Sequence, residues 1–197
     1  MDAKRAFDTA AAALGLWLLA PVFVLVAVAI WAYDRGPVFF RQERVGLHGE
    51  PFRIHKFRSM RVSNSGSLVT SAGDDRITPI GRILRKTKLD ELPQLIDVLM
   101  GTMSLVGPRP EVARYVELWG DDARDEILSV RPGISDPAAI AYRNEQDELA
   151  AADDPERHYV DVILPRKVEM YRDYVRTRSF IGDLGVIFAT FAAIVRH

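Results

Sequence analysis

The sequence predicts an α+β chain that is mostly helical: an N-terminal re-entrant membrane helix broken at Pro21, a small β-hairpin, and several amphipathic helices at the membrane interface. Three observations predict it. Thr9 to Tyr33 runs 25 residues without a formal charge, two short aromatic and aliphatic runs flank a Gly- and Pro-containing turn, and from Leu92 onward apolar residues recur at helical spacing. At 197 residues the chain suits one domain, 1–197, with a membrane part over 1–35 and a cytoplasmic or interfacial part over 36–197.

A straight helix over the apolar run would reach about 37 Å, enough to cross a hydrocarbon core of about 30 Å. Pro21 sits at its middle, after Ala20. A proline there removes the N–H that would bond the Trp17 carbonyl and crowds the same turn, dividing the run into halves of about 18 Å that cannot span alone. Lys4 and Arg5 precede the run and Arg35, Arg41 and Arg44 follow it, so the positive-inside rule gives no direction for a crossing. That symmetry favours a re-entrant hairpin with both ends on the cytoplasmic face over a kinked spanning helix. A signal peptide is the remaining alternative, because Ala27-Val28-Ala29 imitates a cleavage site, although the apolar stretch is too long for it.

Val38 to Phe40 and Phe52 to Phe57 read as strands around a turn with Gly46, Gly49 and Pro51. Ser63 to Asp75 reads as a loop, and Ile77 to Lys88 as one short basic helix. Leu92, Leu95, Ile96 and Leu99 mark a helix that Gly101 stops. Further helices are predicted over Glu111 to Ile127 and from Glu156 to about Arg178, the second interrupted near Pro165. Leu184 to Val195 is too short to cross a membrane, and its stripe of Leu184, Ile187, Phe188, Phe191 and Ile194 suits either the core or the membrane interface.

Composition excludes several classes. The 26 basic and 27 acidic residues nearly cancel, so no global field marks a nucleic-acid partner, and any anion site must be built locally. The absence of cysteine removes thiolate metal sites and disulfides, and His48, His55, His158 and His197 have no metal spacing and read as structural.

The segment Lys88-Leu89-Asp90-Glu91-Leu92-Pro93-Gln94-Leu95 carries the most chemical information. Pro93 is tolerated only in a helix's first turn, so the helix should begin close to Asp90 and set two carboxylates at its N-terminus. Successive helical residues diverge, so Asp90 and Glu91 cannot act identically on one atom. On spacing alone, Asp90 as an N-cap and Glu91 as a first-turn charge explain the same residues. Arg109 lies between Pro108 and Pro110, which stiffen its backbone and suit it to a two-pronged phosphate contact. Lys56 and Arg58 flank Phe57 and are expected on one strand face, toward phosphate or lipid headgroups, while Arg85, Lys86 and Lys88 read as a basic surface toward anionic lipid.

Four segments in order, Lys56-Phe57-Arg58-Ser59-Met60, Leu89 to Leu95, Met103-Ser104-Leu105-Val106-Gly107-Pro108-Arg109-Pro110, and Arg131-Pro132-Gly133-Ile134, resemble the bacterial sugar transferases. These are the monotopic polyprenyl-phosphate phosphoglycosyl transferases, and the resemblance, to their minimal catalytic form, covers nearly the whole chain. It implies a magnesium-dependent ping-pong reaction in which Asp90 attacks the β-phosphate of a UDP-sugar, releases UMP and passes the sugar phosphate to polyprenyl (undecaprenyl) phosphate. Glu91 would assist through metal or proton, so Asp90 and Glu91 are also the metal candidates. Arg109, Lys56, Arg58 and Arg131 would bind phosphate or substrate. The location implied is the bacterial inner membrane with the site on its cytoplasmic face. Partners would be a UDP-sugar, polyprenyl phosphate and the lipid bilayer, with a homodimer left open.

The chain departs from the family pattern in two places. Ala20 stands where many members carry Ser before the membrane proline, and Ser135-Asp136-Pro137-Ala138-Ala139-Ile140 replaces a Thr-Gly and Gln-Val continuation, in a region expected to shape the nucleotide or sugar pocket. An ordinary nucleotide-sugar glycosyltransferase would place its metal with an Asp-x-Asp pair, and the sequence has none. The second alternative, an inactive membrane-anchored scaffold, sits poorly with Asp90, Glu91 and Arg109 together.

Overall fold

The computed structural model describes residues 3–61, 70 and 74–195. Most of the expected Ser63 to Asp75 loop therefore lies outside the described residues. The described residues are mostly helical, with two small sheets. Helix α1, Ala3–Asp34, holds Pro21 in its interior. The predicted break at Ala20-Pro21 is thus corrected in one respect: helical structure continues through the proline. A proline takes away one N–H donor, and the bonds of the turns on either side are enough to carry the helix past it.

One stripe of α1 is covered along its length. Asp8, Ala12, Val26 and Ile30 are buried, Gly15, Leu16, Leu19, Val22 and Phe23 are partly covered between them, and Leu14, Trp17, Leu18, Val24, Leu25, Val28 and Trp31 stay exposed. The covered residues follow the three- and four-residue spacing of a single helix face. Ala12 packs in a cluster with Ile54, Val98 and Met103, and Val26 and Ile30 pack with Phe57 and Leu84. Each fully buried large side chain of this kind contributes about 1.5–3 kcal/mol.

Strands β1, Phe39–Val45, and β2, Pro51–Phe57, form an antiparallel hairpin in register from Phe39 opposite Phe57 to Val45 opposite Pro51. The hairpin is longer than predicted on its first strand, because the polar residues Arg41 to Arg44 pair in register with His55, Ile54, Arg53 and Phe52 of the partner strand. Helix α2, Pro79–Lys86, is capped by Thr78, whose hydroxyl accepts from the Gly81 N–H at 2.9 Å. A 3-10 turn, Leu89–Glu91, leads into α3, Gln94–Met100, which Gly101 ends in the left-handed conformation. The predicted helix start at Asp90 moves to Gln94: Pro93 has no N–H for the Leu89 carbonyl, and the preceding turn tightens to bonds such as Leu92 N to Leu89 O at 3.2 Å.

Strand β3, Ser104–Val106, runs parallel to β4, Gly133–Ser135. This pairing was not foreseen, since three residues carry no periodicity. Helices α4, Ala113–Val116, and α5, Asp121–Ile127, replace the single helix predicted over 111–127, with Gly120 between them. After α6, Pro137–Ala141, α7, Glu145–Ala150, and α8, Pro155–His158, a π-helical turn at Tyr159–Ile163 passes into α9, Leu164–Thr177. The irregularity expected near Pro165 is that π turn. These elements bury a core that includes Tyr115, Trp119, Ile127, Leu149, Ile163 and Tyr171.

The last helix, α10, Phe180–Val195, leaves Ile181, Phe188 and Phe191 exposed and sets Phe180 edge-on against Phe7 of α1 at 5.2 Å. Of its two expected placements, core burial is therefore removed. The exposed apolar faces of α1 and α10 begin side by side.

Candidate active site

The chain turns sharply at Lys88, a non-glycine residue at φ 57°, a conformation that costs roughly 1–2 kcal/mol. The turn carries Asp90 inward, to 7% exposure. Its Oδ1 is buried and accepts no hydrogen bond. Burial, and then the neighbouring Glu91 charge, push the Asp90 carboxyl above the ordinary aspartate range.

Glu91 sits differently. Burial alone would raise its carboxyl, but Arg109 and Lys56 hold it well below the usual carboxylate range. Lys56 Nζ donates to Glu91 Oε1 at 2.9 Å, and Arg109 grips both oxygens, through Nη2 to Oε1 and through Nη1 to Oε2 at 3.3 Å. Burial pulls Lys56 below the usual lysine value, against the opposing pull of Glu91, whereas the Glu91 carboxylate holds Arg109 well above the usual arginine value. The adjacent pair is therefore split into one unpartnered carboxyl and one clamped carboxylate.

Two struts position the clamp. Asp97 of α3, only 1% exposed, accepts from the His55 N–H at 2.9 Å and bonds its ring Nδ1 at 2.7 Å, locking β2 to α3 with Lys56 one residue beyond. The β3–β4 pair fixes the Pro108-Arg109-Pro110 corner, with Gly133 N–H donating to the Pro108 carbonyl at 2.9 Å. Two of the four sequence segments thus meet through backbone.

The structure brings Asp90, Glu91, Lys56 and Arg109 together and leaves the other two candidates elsewhere. Strand β2 ends at Phe57, so Arg58 does not share the strand face expected for it; its guanidinium pairs with Asp34 at the end of α1. Arg131 donates through Nε to the Gly101 carbonyl at 2.8 Å. Ala20 and Pro21 lie in α1 and are exposed. His55 is a buried strut.

Sequence reasoning missed three residues. Arg85, read as a lipid-facing cation, is turned inward: its Nε is buried without a partner, Nη1 reaches only the Met60 sulfur at 3.7 Å, and burial lowers its pKa against the pull of Asp90 and Glu91. On an eight-residue helix with Leu84 buried, the next position faces half inward, a placement that charge counting overlooks. Glu111 accepts from the Tyr159 hydroxyl at 2.9 Å and pairs with Arg44 at 3.4 Å. Asp136 is fully buried and caps α6, accepting from the Ala139 N–H at 2.8 Å. The Asp136-Pro137 pair is a helix-start signal that could have located it.

A buried acidic pair facing cations, on a body whose one helix of membrane-crossing length among the described residues is largely exposed, defines a membrane-associated protein with a charge-lined site. The chain belongs to the bacterial sugar transferase family, whose sequence model matches residues 1–197. It is 39% identical over 192 residues to the UDP-glucose:undecaprenyl-phosphate glucose-1-phosphate transferase of Escherichia coli (strain K12), covering 95% of this chain and 39% of that protein. It is 36% identical over 196 residues to the protein of that name from Caulobacter vibrioides, covering 98% of this chain and 69% of the relative. It is also 36% identical to a UDP-N-acetylgalactosamine-undecaprenyl-phosphate N-acetylgalactosaminephosphotransferase of Aeromonas hydrophila, covering 98% and 43%. The chain thus spans about two fifths of the length of several relatives it matches.

Proposed function

We propose that this protein transfers a sugar 1-phosphate from a UDP-sugar to polyprenyl phosphate, releasing UMP and forming a polyprenyl diphosphate sugar. The observation that carries this reading is the split pair: Asp90 keeps a buried oxygen with no partner, while Glu91 is held ionised between Arg109 and Lys56. In the first step an Asp90 oxygen forms a bond to the donor's β-phosphorus, and the bond to the UMP oxygen breaks, UMP leaving with the electron pair. In the second, an oxygen of polyprenyl phosphate attacks the same phosphorus and displaces Asp90 as a carboxylate. Splitting the transfer lets a soluble donor and a lipid acceptor use one site in turn. Arg109, Lys56 and Arg85 supply positive charge for the diphosphate.

The donor set suits magnesium. Two adjacent carboxylates, one with an oxygen that accepts nothing, fit a hard cation that takes few protein ligands. Asp90 and Glu91 would hold it, and when bound it neutralises diphosphate charge. The distinguishing experiment is a nucleotide-release screen with a panel of UDP-sugars. UMP is the expected product; UDP would mean ordinary glycosyl transfer, and no release would mean a scaffold. Arg109→Lys should lower kcat/KM about tenfold or more, because an ammonium cannot reproduce a two-oxygen grip worth on the order of 1.5–3 kcal/mol. Native steady-state kinetics in that variant would make Arg109 a turn residue.

We also propose that α1 is re-entrant, with the site facing the cytoplasm at the inner membrane. Its N-terminal end is tied by Lys4 to Asp183 at 2.5 Å, Arg5 to the Val98 carbonyl at 2.6 Å and Asp8 to Ser104 Oγ at 2.7 Å. Its C-terminal end is tied by Asp34 to Arg58. Val98 and Arg58 belong to segments joined by His55 and Asp97, so both ends rest on one polar body. Single cysteines at Ala3 and Glu50, labelled in intact cells with an impermeant maleimide, should stay unlabelled in the native protein. Pro21→Leu removes an interior proline worth about 3 kcal/mol. It should expose position 3 alone, because α1 inserts before residues 94–107 are made to hold its start. Strong labelling of position 3 in the native protein would leave a spanning anchor instead.

A further inference from the structure

The β3–β4 pairing sets Ser135 beside Val106, bonds the Gly107 N–H to the Ser135 carbonyl at 3.1 Å, and so places Asp136, a second buried carboxylate, next to the corner that carries Arg109, whose charge it feels. Asp136 is 0% exposed and uses its two oxygens unequally: Oδ1 caps α6, and Oδ2 is buried with no partner. Beside it the Tyr171 hydroxyl is also buried and unpartnered, in a side chain only 1% exposed. Unsatisfied buried polar atoms are costly, and two of them whose charges or dipoles act on one arginine call for an explanation. Capping does not supply one, since Oδ1 alone performs it.

The phosphate-transfer reading gives Arg109 two conflicting tasks. It clamps Glu91 when no ligand is bound, and it must grip a phosphate when one arrives. A guanidinium carries five N–H donors in a fixed fork, so releasing Glu91 with no other anion at hand would strand several of them. We propose that Asp136 is a positioning residue that offers Arg109 a second anionic anchor, Oδ2, so that the guanidinium can leave Glu91 for the ligand phosphate without losing its charged partner. The same exchange frees Glu91 for the cation the site suits. Lys56 remains on Glu91 and keeps that carboxylate from being left bare.

The proposal and simple electrostatics predict opposite signs. A carboxylate that merely sat near an anion site would repel the ligand, and neutralising it would tighten binding. A positioning anchor does the reverse. The test is titration calorimetry of inorganic diphosphate into the full chain in nanodiscs, comparing the native protein with Asp136→Asn and Asp136→Ser. Both variants keep a helix-capping side chain, so the fold is expected to persist. Serine is too short to reach Arg109, which makes it a second, independent removal of the anchor. Diphosphate should bind about tenfold more weakly to both variants, the scale of one charged hydrogen bond partly lost. Tyr171→Phe, which removes a hydroxyl without a partner, should bind like the native protein. Unchanged or tighter binding in the Asp136 variants would overturn the anchor while leaving the phosphate site standing. An equal loss in Tyr171→Phe would assign the effect to packing and overturn it too. No diphosphate binding by the native protein would overturn the phosphate site itself, and the anchor with it.

Discussion

Asp90→Asn is expected to abolish turnover, by at least about a thousandfold, the scale seen when a covalent nucleophile is removed. An amide has almost the shape of the carboxyl and cannot attack phosphorus. Because the buried Oδ1 has no partner, the substitution removes a poorly solvated charge, so thermal stability should hold or rise near neutral pH. The sign follows from the raised carboxyl pKa: the folded state holds the Asp90 proton longer than the unfolded chain does. The native protein therefore loses stability as pH rises from the ordinary aspartate value of 3.8 through the higher folded value, and the asparagine variant lacks that component. Intact-protein mass after incubation with a UDP-sugar and magnesium, without lipid acceptor, tests the chemistry. A sugar-phosphate adduct should form on the native protein and be missing from the variant. An adduct persisting on Asp90→Asn would place the nucleophile on another residue.

Gly133→Ala should cause a large structural loss for the addition of a single methyl group. A Cβ on Gly133 would lie 2.0 Å from the Gly107 nitrogen and 2.5 Å from its carbonyl oxygen, and neither atom can swing aside as a side-chain tip does. Relief requires β3 and β4 to separate, at the cost of the bonds from Ser104 N to the Pro132 carbonyl, Gly107 N to Ser135 and Gly133 N to Pro108. Overpacking and lost hydrogen bonds together amount to about 3 kcal/mol or more. For a chain of this size that lowers the melting midpoint by roughly 6–12 °C. Activity should fall further than stability alone requires, because the displaced corner carries Arg109. Gly185→Ala is the matched control, since a Cβ there meets nothing within 4 Å. If both variants melt together, the close crossing is not what holds the corner.

Much of the helical content was legible because helices advertise themselves locally. The apolar run, Thr78-Pro79 at the start of α2, and Gly101 after α3 are all signals contained within a few consecutive residues. The hairpin was legible for the same reason, with the end of β2 placed correctly at Phe57. The five residues of β1 beyond Phe40 were missed, since Arg41, Gln42, Glu43 and Arg44, which precede Val45, look like a polar loop until a partner strand is supplied.

For the site, sequence alone determined which residue types were available: an Asp-Glu pair ahead of a proline, and an arginine stiffened between two prolines. Tertiary structure decided the rest. It gave Lys56 and Arg109 to Glu91, left one Asp90 oxygen without a partner, sent Arg58 to Asp34, turned Arg85 inward and buried Asp136. The physical reason is the range of the forces. Backbone preferences act over three or four residues and can be read along the chain, whereas desolvation and ion pairing depend on which distant segments close over a charge. Glu91 and Arg109 are 18 residues apart, and Gly107 and Gly133 are 26 apart. Only when β4 seats against β3 does the arginine reach the carboxylate that it holds.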